Sequence, residues 1–167
     1  MEGHTFRYCP NLVSVDLSCT LINQIPYCLF TNSLKLTTVI MPPFVSSISE
    51  FSFSKTNLDS LIIPEKVSYV HPNAFVNTHI SNIYYCGANT INIAISTENA
   101  VSITVSQLYP SSSSTFLGFQ IVKRDFECPF IHCMLLTDQL FMKCQSINQC
   151  RIYFSAFRYL VSIIIIE

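Results

Sequence analysis

The sequence predicts a mainly β solenoid, a stack of coils that each contribute one short strand to a shared parallel sheet. Three observations carry this. Phe6, Phe30, Phe53 and Phe75 are separated by 24, 23 and 22 residues. Each Phe is followed by an apolar triplet of constant spacing, and the first three triplets by a second apolar pair. Half of the 167 residues are hydrophobic and only 11% are charged, which is enough apolar material for a core that runs through every coil.

The first coil starts at Phe6, with the small Cys9 three residues on and the triplet Leu12, Val15 and Leu17 after it. Positions two apart in a strand share a face, so Val15 and Leu17 point inward while Ser14 and Asp16 point out. The pair Ile22 and Ile25 follows, and Phe30 comes five residues later. The second coil repeats the phrase with Ser33, then Leu36, Val39 and Met41, then Val45 and Ile48. The third is the most regular: Phe53, Thr56, Leu58, Leu61, Ile63, Val67 and Val70. The fourth has Phe75, Thr78, Ile80, Ile83 and Tyr85. Length changes between copies fall in connections, where a stacked solenoid tolerates them. The Phe residues are expected to form an interior ladder on the side opposite the strands. Pro42 and Pro64, just after the second and third triplets, should end the strand ladder at that edge, because proline has no N–H to donate.

A weaker fifth copy keeps the triplet spacing at Ala100, Ile103 and Val105 but lacks the Phe. Tyr109-Pro-Ser-Ser-Ser-Ser-Thr reads as a loop. Phe116 to Val122 reads as one last strand, with Phe119 and Ile121 on one face. The solenoid is therefore assigned to residues 1–125. Residues 126–167 lose the repeat and form a Cys-rich, hydrophobic, poorly ordered tail, in which Leu135 to Met142 reads as a short helix and Ile152 to Ile166 as a strand or a helix.

Composition excludes several function classes. A net charge of -1 leaves no basic footprint for nucleic acid. The N-terminus lacks the basic and apolar regions of a signal peptide. The apolar window Ile152 to Ile166 is broken by Arg158 and is shorter than the ~20 residues of a transmembrane helix. No N-x-S/T sequon occurs.

The phrase F-x-x-C-x-x-L-x-x-I-x-L, followed by I-x-x-I and the next Phe, resembles the BspA-like leucine-rich repeat family. The resemblance is clear from Phe6 to Tyr85 and weaker to about Val122. Tyr84-Tyr85-Cys86-Gly87 and the Tyr109-Pro110-Ser segment also resemble the closing part of such proteins. Ser18, Pro42 and Pro64 stand where better-known leucine-rich repeats carry an Asn or Cys ladder. The resemblance implies a leucine-rich-repeat solenoid, a right-handed superhelix with a parallel concave sheet and an irregular or short-helical convex side. It also implies a protein-binding module of the surface-antigen and adhesin type.

Candidate partner-binding residues are the outward strand positions: Asp16, Thr38, Ile40, Ser60, Ile62, Asn82 and Tyr84, with Ser14, Ser102 and Thr104 beside them. One stripe across the coils is Asp16, Ile40, Ile62 and Tyr84, and an exposed apolar and aromatic stripe marks a protein partner. The same residue types also suit strands by β-propensity alone, so both explanations stand.

The sequence predicts no cofactor. Weak metal candidates are Cys128, His132, Cys133, Cys144 and Cys150, at spacings wider than the C-x2-4-C pairs of structural zinc sites. These cysteines form disulfides if the chain is exported and stay free thiols if it is not. Catalysis has no support. His4, His71, His79 and His132 fall at unrelated repeat positions, and three glycines leave no phosphate-cradling loop. Cys9 reads as a small buried hydrophobe. The expected function is a non-enzymatic protein-binding module. The alternatives are a tail-defined metal-binding or membrane-associating segment on a repeat scaffold, and a truncated repeat protein without independent function.

Overall fold

The computed structural model describes residues 3–129 and the backbone of three further strands between 144 and 164. The repeat positions form the strands. β1 (Ser14–Asp16), β3 (Thr38–Ile40), β5 (Ser60–Ile63), β7 (Asn82–Tyr85) and β8 (Ser102–Val105) are successive rungs of one parallel concave face. Their register matches repeat to repeat: Val15 faces Val39, Leu61 faces Ile83 and Ile103 follows. Val15, Leu17, Val39, Met41, Leu61, Ile63, Ile83, Tyr85, Ile103 and Val105 are all buried, as the period of two requires.

The concave face is split. β1 and β3 form one ladder, and β5, β7 and β8 belong to another that ends in a hairpin. Cys86 N–H donates to Ile63 O and Ser106 N–H to Tyr85 O, each bond tying a rung to the one before it. Pro42 and Pro64 hold the same place in their coils and have no N–H to give, so the junctions from β1 to β3 and from β3 to β5 both lack this bond.

The second apolar pair builds a sheet of its own. β2 (Gln24–Ile25), β4 (Ser47–Ile48) and β6 (Tyr69–Val70) pair in parallel, with Ile25, Ile48 and Val70 completely buried. The convex side is thus turns and two-residue strands. No helix occurs among the described residues, so of the two expected convex forms the irregular one is present.

Between the sheets lies the Phe ladder. Phe6 stacks on Phe30 at 5.8 Å, Phe30 on Phe53 at 5.5 Å, and Phe53 on Phe75 at 5.2 Å. Phe30, Phe53 and Phe75 are fully buried, while Phe6 at the end of the stack is half-buried. In the second, third and fourth coils the residue three beyond the Phe anchors the stack through a hydroxyl. Ser33 Oγ donates to Phe6 O at 2.8 Å, and Thr78 Oγ1 to Phe53 O at 2.8 Å. Cys9 holds this place in the first coil, where it is half-buried rather than buried, and burial pushes its thiol pKa up.

The end of the solenoid departs from the expected single strand. Phe116 to Val122 is broken into β9 (Thr115–Phe116) and β10 (Phe119–Lys123), an antiparallel hairpin whose β10 also pairs in parallel with β8. Leu117 and Gly118 form its turn with φ of 52° and 87°, the positive pair that a two-residue type I′ hairpin needs. In the fifth coil Ala100 is exposed and Val101 is buried in its stead. Here the Phe ladder gives way to a second aromatic cluster. Tyr85 stacks on Phe116 at 4.4 Å, and Tyr109 meets both rings edge-on.

Beyond residue 129, β11 (Cys144–Ser146), β12 (Gln149–Ala156) and β13 (Tyr159–Ile164) form an antiparallel sheet. The Ile152–Ile166 stretch is therefore strand where it is described. The helix expected over Leu135 to Met142 lies outside the described residues.

Candidate functional site

The outward strand residues line up as the period predicts. Asp16 faces Ile40, Ile62 faces Tyr84, and Tyr84 faces Thr104 across the parallel registers. Four of the seven candidates, Thr38, Ile40, Ser60 and Ile62, line one groove of about 1030 Å³ above β3 and β5. The remaining three lie at its flanks. Asp16 is half-buried and its carboxylate accepts the Ser18 N–H at 2.8 Å, which fixes the turn after β1. Asn82 is half-buried beside Ser60. Tyr84 is covered on its outer side by Phe126, whose ring lies 4.8 Å away.

The groove is apolar and open. Ile40 is 43% exposed, Ile62 38% and Phe44 45%. Lys66 Nζ sits 4.9 Å above the Phe44 ring, so a cation borders the apolar floor. Leu108 contributes from the other wall at 64% exposure.

Phe44, Lys66, Leu108 and Phe126 were not among the sequence candidates. Phe44 did carry a signal: it is a phenylalanine out of phase with the ladder, so the core does not require it. Phe126 carried none, because its place depends on the chain turning back over the strands.

That return is fixed by three contacts. Phe126 N–H donates to Val105 O at 3.2 Å, Phe126 packs on Tyr84, and Cys128 is disulfide-bonded to Cys86. The disulfide corrects the metal expectation at Cys128, since a sulfur bonded to sulfur has no thiolate to offer. His132 and Cys133 lie outside the described residues, as do the side chains of Cys144 and Cys150. Among the described residues no three His, Cys, Asp or Glu come together as a metal site would require.

At the closing end, Tyr85 and Gly87 lock the fourth coil. Tyr85 Oη donates to Val67 O at 2.9 Å and accepts the Asn89 N–H at 3.2 Å. Burial pushes the Tyr85 pKa up to about 12. A Cβ at Gly87 would collide with Glu65 O and the Tyr85 hydroxyl, so only glycine fits there. Arg124 donates to Pro110 O at 3.1 Å and also to Ser113 O, which pins the serine-rich loop to the end of β10.

Residues 1–100 match the BspA type Leucine rich repeat region (6 copies). The chain belongs to that family. No curated protein matches the chain. Among solved structures, it is similar to a leucine rich cell surface protein from Faecalibacterium prausnitzii A2-165, at 18% identity and a TM-score of 0.48. The likeness covers 75% of this chain and 44% of that one, so the chain spans less than half of that protein. No helix among the described residues is long and apolar enough to cross a membrane. As a BspA-type repeat region, the chain offers a rigid two-sheet scaffold whose concave positions are free of core duty.

Proposed function

We propose that this chain is a non-enzymatic protein-binding module that takes its partner in the groove above β3 and β5 and serves surface adhesion. The observation that carries the reading is the joint exposure of Ile40, Phe44 and Ile62 in one groove across β3 and β5. Apolar side chains that the core does not use, gathered in a concavity, are the ordinary anchor of a protein interface. Thr38 and Ser60 add hydroxyls along the same floor. Asp16 and Asn82 extend the surface to either side, and Tyr84 lies beneath Phe126. The family relation supports adhesion, and the Cys86–Cys128 disulfide supports work outside a reducing cytosol.

The test is selection of binders from a displayed library of unstructured peptides on the immobilised full chain. Their affinity is then measured for an Ile40→Asp, Ile62→Asp double variant whose melting is unchanged. Two interface anchors of ordinary strength predict a loss of at least about thirty-fold. Binders indifferent to both substitutions would move the binding site off this groove.

A further inference from the structure

We propose that residues 124–129 are a redox-latched strap: it occupies the concave face over β7 and β8, and reduction of the Cys86–Cys128 bond releases it to uncover Tyr84. The inference stands on the strap's contacts and does not depend on which partner the neighbouring groove takes.

The strap is fixed at both ends by different chemistry. At its start, Arg124 is pinned to the carbonyls of Pro110 and Ser113, and β10 pairs with β8 as far as Lys123, across a register shift between Ile121 and Lys123. At its far end stands the disulfide to Cys86. Between them, among the described residues, the hydrogen bond and ring contact that hold the strap to the sheet are Phe126 to Val105 O and Phe126 on Tyr84. Asp125 and Glu127 on either side are exposed. Two such contacts are weak against the conformational entropy that several freed residues regain. The covalent bond is therefore what keeps Phe126 in place.

The bond is also within reach from one side. Cys86 is buried, but Cys128 is half-buried and lines the groove, so a small dithiol can approach its sulfur from solvent. The reaction balances as ordinary exchange. A dithiol thiolate attacks one sulfur, the mixed disulfide is displaced by the second thiol, and the dithiol leaves as a cyclic disulfide. Cys86 and Cys128 take up two electrons and two protons as free thiols. With the strap gone, Tyr84 joins Ile62 beside it in the register, and the apolar stripe of the groove lengthens by one rung.

Hydrogen exchange on the full chain tests this, comparing the oxidised protein, the protein in dithiothreitol, which also reduces the bond at Cys19, and a Cys128→Ser variant that leaves every other cysteine untouched and so isolates the one bond. The Phe126 amide is expected to exchange at least ten-fold faster in the reduced chain and in the variant, while amides of β7 keep their protection. Nitration of Tyr84 by tetranitromethane should accelerate in parallel. A Phe126 amide still protected in Cys128→Ser overturns the latch, because the strap would then hold itself. Loss of protection throughout β5, β7 and β8 overturns it as well, because the bond would be a staple of the whole fold.

Discussion

Seven residues in the first four coils have left-handed backbone, and none is glycine. They sit two before the ladder Phe, at His4, Cys28 and Phe51, and two after it, at Tyr8, Asn32, Lys55 and Asn77. Each such residue costs roughly 1–2 kcal/mol against an ordinary conformation, and only the two asparagines ease it. The burial of the Phe between them offsets that cost. These turns were not legible in the sequence, because turn reasoning looks for glycine and the chain has three. The opposite holds at Tyr85, whose triplet position marked it as inward but whose chemistry needed the structure. Its folded pKa, about 12, lies above the ordinary 10 because burial disfavours the phenolate. The neutral hydroxyl therefore stabilises the fold fully below pH 10, and the contribution is lost as pH rises from 10 towards 12. Urea midpoints at pH 8 and pH 11 should show this drop in the native chain, and Tyr85→Phe should reduce the difference. An equal drop in both proteins would remove Tyr85 as its source.

The Phe ladder is the element on which the coils converge. Phe53 has a stacked ring on each side and no solvent exposure, so Phe53→Ala leaves a cavity that neither neighbour can fill. The expected cost is about 3–5 kcal/mol by denaturant unfolding, against a smaller loss for Phe6→Ala, whose ring is half-buried and stacked on one side only. Equal costs would mean that the stack does not work as a ladder. The ladder and the concave strands were legible because their constraint is periodic and every coil restates it. The convex strands were seen only as apolar pairs. Two residues are too few to announce a strand, and their pairing partners are 22 or 23 residues away. The hairpin at Leu117-Gly118 was missed for a similar reason: an apolar run hides a turn that only the backbone reveals.

At the scale of the whole molecule, the concave face divides between β3 and β5. β1 and β3 depend on each other in their ladder, while β7 is bonded on both sides. Native-state hydrogen exchange should find amides of β1 and β3 at least about ten-fold less protected than those of β7. Uniform protection from β1 to β8 would show that the convex sheet and the Phe stack make the coils one unit regardless of the gap. The site divides along the same line. Its floor, Ile40 and Ile62, could be read from the repeat. Its walls, Phe44, Leu108 and Phe126, follow no repeat and exist only once the loops and the returning chain are in place.

The Cys86–Cys128 bond also decides how the molecule would carry load. The two cysteines are 42 residues apart, and the last rungs of the solenoid lie inside that ring. Tension entering from beyond Cys128 crosses directly to Cys86 and bypasses β8, β9 and β10. Those rungs then stay folded or hang slack under that tension. A ring of that size withholds roughly 150 Å of extension, at about 3.5 Å per residue, until the sulfur–sulfur bond is cut.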